Sequence, residues 1–350
     1  MVAQVLYNRG VSDATAARQF LQGAPLDVNP FDLADMNKAV ARIRQAIREQ
    51  EPIAVYGDFD TDGVTATALM VQTLRALGAV VEPYIPHRIE EGYGLNTTAL
   101  SMLAQDGFRL VITVDCGIRD VEAVADSVLL GLDMIVTDHH AVGPQLPGAL
   151  AVINPKREGC RFPEKMLAGV GVAYFLADAL LRAAKAAGEP VTLDAGDLLD
   201  LVAIGTVADL APLAPPPLEQ RTPAGNTEHL HLVNRTLVRR GLEVLNSARR
   251  PGLFALIEAA GLRPGQVTST SIGFALGPRL NAAGRLESAS QACELLLTND
   301  LNEAVTLAAE LNALNVRRQD ETRLAQIKVR VLALAELEGD LPLIFAADRS

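Results

Sequence analysis

Two kinds of apolar pattern divide the chain. Over residues 36–50 (MNKAVARIRQAIREQ), Met36, Val40, Ile43 and Ile47 fall on one stripe at helical spacing, with basic residues opposite. Residues 1–50 are accordingly expected to form a mostly helical N-terminal segment. The period then changes. Short β-rich runs occupy 53–56 (IAVY), 80–85, 110–114 (LVITV), 134–137 (MIVT) and 150–153, with helical stretches at 64–77, 96–105 and 119–130 between them. Strands without polar alternation, separated by helices, predict a parallel sheet buried on both faces. Residues 51–156 therefore read as a doubly wound α/β core.

After Pro155 the pattern turns helical, with candidates at 167–187, 194–209, 234–248, 253–260 and 286–297. Residues 157–300 are expected to complete the α/β domain. The proline-rich run 212–226 (PLAPPPLEQRTPAGN) denies itself regular structure, and about 214–231 reads as an insertion. Residues 301–338 contain neither Gly nor Pro, and apolar residues recur from Leu301 to Leu334. A continuous helix there would span roughly 57 Å and reads as a connector between domains. A strand-like LPLIFAA follows at 341–347. An isolated strand cannot bury itself, so 339–350 is expected to begin a further domain of a longer protein. No internal repeat is visible.

Composition narrows the class. With 350 residues, 49% apolar and 21% charged, the chain belongs to folded proteins of about two or three domains. Three scattered cysteines support neither a disulfide framework nor a cysteine zinc site. No signal peptide and no membrane span are expected, and the protein is expected to be cytoplasmic and monomeric. The net charge of −11 argues against a protein that coats nucleic acid through its general field. A nucleic-acid enzyme stays open, because a metal site collects carboxylates. With no Trp and 4% aromatics, stacking platforms are few, and any single-strand binding must rest mostly on backbone contacts.

Five motifs carry chemistry. In VYGDFDTDGVT, Asp58, Asp60 and Asp62 follow a strand and lead into a helix. Three carboxylates so close repel one another unless a cation sits among them. A calcium EF-hand is excluded, since the twelfth loop position is Leu69 and a strand precedes the loop. Asp115 ends LVITVD, where a helix cap is the plain alternative. Asp138, His139 and His140 end MIVTDHH, a grouping that favours metal binding. All three motifs stand at the carboxyl ends of predicted parallel strands and can converge in one crevice. Oxygen donors with one or two imidazoles suit two Mn²⁺ or Mg²⁺ ions. Asp209, in an apolar helical stretch, needs a partner, and a cation would serve. In GPRLNAAGR, Arg279, Asn281 and Arg285 stand in a glycine-rich setting and offer phosphate contacts. Arg235, Arg239, Arg240, Arg249 and Arg250 either track a phosphate backbone or form a solvated face.

These motifs resemble the single-strand-specific exonucleases of the DHH phosphoesterase family. The matching runs are GDFDTDG (57–63), VDCG (114–117), TDHH (137–140), GVGVAYFLADAL (169–180), GTVADLAPL (205–213) and GPRLNAAGR (277–285), in order along nearly the whole chain. The resemblance implies metal ligation by Asp60, Asp62, Asp115, His139 and Asp209, with Asp115 bridging two Mn²⁺ or Mg²⁺ ions. It implies that Asp58, Asp138 and His140 support catalysis or contact the scissile phosphate, and that Arg279, Asn281 and Arg285 hold strand phosphates. It implies 5′ to 3′ hydrolysis of single-stranded DNA to mononucleotides in repair and recombination. A RecQ-type helicase and a single-strand-binding protein are implied partners. Two other readings compete. A haloacid-dehalogenase-like phosphatase would use Asp60 as nucleophile but leaves DHH and Asp209 idle. A non-catalytic replication scaffold of the same superfamily would tend to lose ligands that are present here.

Overall fold

The computed structural model describes residues 1–9, 11, 13–88, 91–92, 94–214 and 232–336. Three N-terminal helices, α1 (Val2–Asn8), α2 (Ala14–Gln22) and α3 (Met36–Glu49), lead into alternating strands and helices. These are β1 (Ile53–Gly57), α4 (Thr61–Ala76), β2 (Val81–Tyr84), α5 (Thr97–Gln105), β3 (Leu110–Val114), α6 (Val121–Leu129), β4 (Asp133–Thr137) and β5 (Ala151–Ile153). Helices then dominate: α7 (Gly169–Ala186), α8 (Leu199–Ala208), α9 (Val233–Asn246), α10 (Pro251–Ala259), the single turn α11 (Ser269–Ser271), α12 (Gly277–Leu286), α13 (Ser290–Leu297) and α14 (Leu301–Glu336). The 215–231 stretch and residues 337–350, with the strand-like LPLIFAA, lie outside the described residues. Among the described residues no helix is long and apolar enough to cross a membrane.

All five strands are parallel, in the order β2-β1-β3-β4-β5. The lack of polar alternation now has its reason. Ile53, Val55, Leu110, Ile112, Val114, Ile135 and Ile153 point into a large core shared with α3, α4, α7 and α8. Their neighbours Ala54, Tyr56, Val111, Met134, Val136 and Val152 point into a second core under α5 and α6. Helix α4 is buried on nearly every side. Its Thr65, Thr67 and Thr73 hydroxyls satisfy themselves by donating to carbonyls four residues back.

Two stretches depart from the sequence pattern. The 194–209 stretch is a 3₁₀ turn (Ala195–Leu198) followed by α8, because Asp194 caps the turn through Gly196 N. GPRLNAAGR is the helix α12, entered through a π-helical turn at Ile272–Leu276. Its glycines do not open a loop. Gly284 lets α12 lie against the metal-motif loop, since a Cβ there would stand 2.4 Å from the Phe59 carbonyl oxygen.

Candidate metal centre

The strand register brings the first three motifs to one level. Gly57 pairs with Val114 and Val114 with Thr137, so the next residues, Asp58, Asp115 and Asp138, leave the sheet side by side. Between β1 and β3 the chain reverses its direction of progress across the sheet, the position where open α/β sheets place ligands. Asp115 sits there with φ 64°, a left-handed backbone that an Asp tolerates better than most residues.

Each remaining carboxylate is placed by a helix end. Asp60 is the N-cap of α4, accepting from Asp62 N and Gly63 N. Asp62, two residues further and 1% exposed, accepts from Gly169 N at 2.6 Å and Val170 N at 2.9 Å, the first amides of α7. That helix terminus favours negative charge. Asp209 ends α8. His139 stands between them: its Nε2 is 3.1 Å from Asp115 Oδ1 and 3.9 Å from Asp62 Oδ2, and its Nδ1 is 3.8 Å from Asp209 Oδ2. Asp138 turns inward instead, accepting from Ile118 N, His139 N and His140 N, while His140 Nδ1 lies 2.8 Å from its Oδ1.

The electrostatics are those of carboxylates crowded without compensation. Burial, then the Asp60 charge, pushes Asp58 up to about 7 and Asp209 up to about 6. Burial, then neighbouring carboxylates, raises Asp62 and Asp115 well above the usual range. Burial, then His140, lowers His139 to about 4, so its ring is neutral and free to ligate near pH 7. The hydrogen bond that its ring donates to Asp138 raises His140. Burial alone would raise Asp138, but the His140 ring and the backbone donors outweigh it and bring the carboxyl below its ordinary value.

The donors fit divalent cations. Asp115 Oδ1 and His139 Nε2 are buried, in close contact, and have no hydrogen-bond partner. A shared cation would satisfy both. Three sets of donor atoms lie within ligating reach of one another: Asp58, Asp60 and Asp115; Asp62, His139 and Asp209; and Asp115, His139 and His140. The first two sets share no residue, and the third links them through Asp115 and His139. These sets offer oxygen and imidazole donors, with no sulfur among them, a chemistry that suits divalent cations such as Mn²⁺ or Mg²⁺.

The arginines are placed less uniformly. Arg279 Nε donates to Asn312 Oδ1 of α14, and its Nη1 to Ala275 O. Asn281 Oδ1 accepts from Thr61 N at 2.7 Å and so pins α12 to the start of α4. Arg285 is exposed. The run from 235 to 250 is largely absorbed by the fold: Arg235 lies over the Phe20 ring, Arg239 binds Leu21 O, Arg249 pairs with Asp197, and Arg250 forms a buried pair with Asp200. Two cationic side chains were missed from the sequence. Arg88, in the loop after β2, stands over the ring of Phe59, the residue between Asp58 and Asp60. Lys156 lies near enough to lower both His139 and Asp209. Their position after a strand's carboxyl end was the available signal.

A parallel sheet with Asp58, Asp115 and the Asp138-His139-His140 run at its carboxyl edge is a DHH-type core, and the chain belongs to the DHH family. The profile of the DHH family, N-terminal domain, matches residues 52–206. The relatives are RecJ exonucleases. The chain is 45% identical over 320 residues, 91% of its length, to the single-stranded-DNA-specific exonuclease RecJ of Bacillus subtilis. It superposes on a crystal structure of exonuclease RecJ bound to manganese with TM-score 0.72 and 37% identity, over 87% of this chain and 70% of that one. It also superposes on RecJ of Thermus thermophilus in complex with Mn²⁺ (TM-score 0.74, 33% identity, 96% of this chain and 44% of that one) and with Mg²⁺ (TM-score 0.66, 32% identity, 94% and 40%). The chain spans 37% of the Bacillus subtilis relative's length.

Proposed function

We propose that this chain is the metal-dependent catalytic part of an exonuclease that hydrolyses single-stranded DNA from the 5′ end to mononucleotides, in DNA repair and recombination. The observation that carries it is the pair of separate donor sets joined through Asp115 and His139, in a chain of the RecJ branch of the family. Asp60, Asp62, Asp115, His139 and Asp209 would hold two Mn²⁺ or Mg²⁺ ions, with Asp58 in reach of the same position as Asp60 and Asp115. Such cations lower the pKa of water and offset charge on a phosphodiester.

The chain's own groups do the rest. The α7 amides fix Asp62, and the neutral His139 ring keeps a lone pair available. His140, with its side chain 43% exposed and its ring held by Asp138, faces outward as the contact to the scissile phosphate or the carrier of a proton to the leaving oxygen. Arg285 offers a fork to the strand's phosphates, while Arg279 and Asn281 set the position of α12 beside the site. The haloacid-dehalogenase-like reading is weaker here, because it gives no role to the Asp138-His139-His140 run or to Asp209, which the fold brings beside the same carboxylates. A RecQ-type helicase and a single-strand-binding protein as partners, a monomeric state and a cytoplasmic location are further parts of the proposal, resting on family resemblance.

The test is a time course on 5′- and 3′-labelled single-stranded DNA with Mn²⁺, beside Asp115→Ala. Mononucleotides released first from the 5′ label, and absent in the variant, are expected. Cleavage that survives Asp115→Ala, or release first from the 3′ label, overturns it.

A further inference from the structure

Around the end of α8 the fold exposes two large apolar side chains on unusual backbone. Leu210 follows Asp209 directly, is 85% exposed and has φ 59°. It ends α8 in the position after the cap, with Leu210 N bonded to Val207 O and Ala211 N to Thr206 O. Glycine is the usual residue there, because a Cβ is penalised in this conformation. A leucine adds that penalty to the cost of an apolar side chain in water. Phe274 is 84% exposed, and of the described phenylalanines it alone is exposed. It projects from the π-helical turn Ile272–Leu276, a form that recurs at functional sites.

The elements that carry the two pack together. The π turn packs on the last turn of α8: a Cβ on Gly273 would stand 3.9 Å from Val207 Cγ1, and one on Gly277 3.5 Å from Ala208 Cβ. The same turn is tied to the metal motif, since Thr61 Oγ1 donates to Gly277 O at 3.0 Å. Leu210 thus directly follows the carboxylate that shares a donor set with Asp62 and His139, and Phe274 projects from the turn packed on the same helix end. An apolar pair beside a phosphate-cleaving site has one natural occupant in a single strand, the base attached to a phosphate held there. Every base has an apolar face, so such a contact accepts any sequence.

We propose that Phe274 and Leu210 form an apolar ledge that stacks an unpaired nucleobase of the bound strand and so positions the adjoining phosphate at the Asp209 side of the metal centre. The proposal rests on the function proposed above. It assigns these residues a positioning role through substrate, with no part in bond making.

The test measures binding by fluorescence anisotropy with Mn²⁺ present. The probes are phosphorothioate-linked oligothymidylate and a strand of the same length whose residues are abasic. Phe274→Ala is expected to weaken oligothymidylate binding about tenfold, within the usual worth of one base stack, and to leave the abasic strand unchanged. Leu210→Gly is expected to weaken it by a smaller factor while raising the melting temperature, because glycine suits the left-handed position. That opposition between stability and affinity separates a binding role from a structural one. Equal loss on both strands, or no loss on oligothymidylate, overturns the ledge, whose faces would then serve a protein contact. If the unsubstituted protein binds Mn²⁺ but neither strand, the proposed nuclease function itself fails, and the ledge with it.

Discussion

A Cβ placed on Gly169 would stand 2.5 Å from Asp115 Oδ1. The first residue of α7 is therefore the wall against which the Asp115 carboxyl rests, and the same residue's N–H holds Asp62. One backbone position thus locates two carboxylates that come from different strand ends.

Gly169→Ala should accordingly damage metal binding without unfolding the protein. A methyl there must displace the Asp115 carboxyl. Mn²⁺ affinity by isothermal titration calorimetry should fall by about 10–100-fold, the usual cost of disturbing a ligand's support. Unchanged affinity would mean that Asp115 is not a ligand in the position seen.

Asp115→Asn should separate charge from shape, since Asn also accepts the left-handed backbone. Without metal it removes one charge from a crowded buried cluster, and the melting temperature in EDTA should rise by several degrees. With Mn²⁺ the stabilisation seen in the parent should be largely absent, and nuclease activity should fall at least about 10³-fold. A variant less stable than the parent in EDTA would contradict the carboxylate repulsion read from the structure.

The metal-free protein should lose stability as pH rises. Asp58 and Asp209, at about 7 and about 6, hold protons in the folded state that they release at ordinary carboxylate pH when unfolded. Their contribution is fully present below about pH 4 and is lost as pH passes through 6 and 7. Asp62 and Asp115 act in the same direction. His139, gaining stability as pH rises from about 4, and Asp138, held below its ordinary value, oppose them, while the raised His140 sides with the four carboxylates. Mn²⁺ competes with those protons, so its stabilising increment should grow between about pH 5 and pH 8. Thermal unfolding with and without Mn²⁺ across that range measures both trends, and a metal increment that shrinks with pH would refute the assignment.

Arg250→Ala should destabilise the fold by about 3–5 kcal/mol, because Asp200 would remain buried and unpaired. The pair is 9% and 6% exposed in its side chains, and Arg250 also reaches Gln72 Oε1 and Leu296 O. Mn²⁺ affinity of the folded variant should be unchanged. Urea unfolding and calorimetry test the two halves, and loss of metal or DNA affinity at unchanged stability would restore Arg250 to a binding role.

Whatever depends on neighbours along the chain was legible in the residues alone. Continuous apolar runs such as LVITV announce strands covered on both faces, and an Asp directly after each run must stand at a strand's carboxyl end. Asp58, Asp115 and Asp138 could be read for that reason, and so could the long helix α14. Partners far away in sequence settle the rest, and these only the folded chain brings together. Asp62 is oriented by amides 107 residues on, and Asn281 is turned by Thr61, 220 residues earlier, into a brace between helices. GPRLNAAGR keeps its glycines within a helix because Gly284 packs closely on Phe59 and Gly277 on Ala208, which no local propensity reports. Arg250 looked like a solvated or phosphate-facing base until Asp200 came to meet it. The exposure of Phe274 and Leu210 is likewise invisible in a string, because burial is a property of the elements packed around a residue and not of the residue itself.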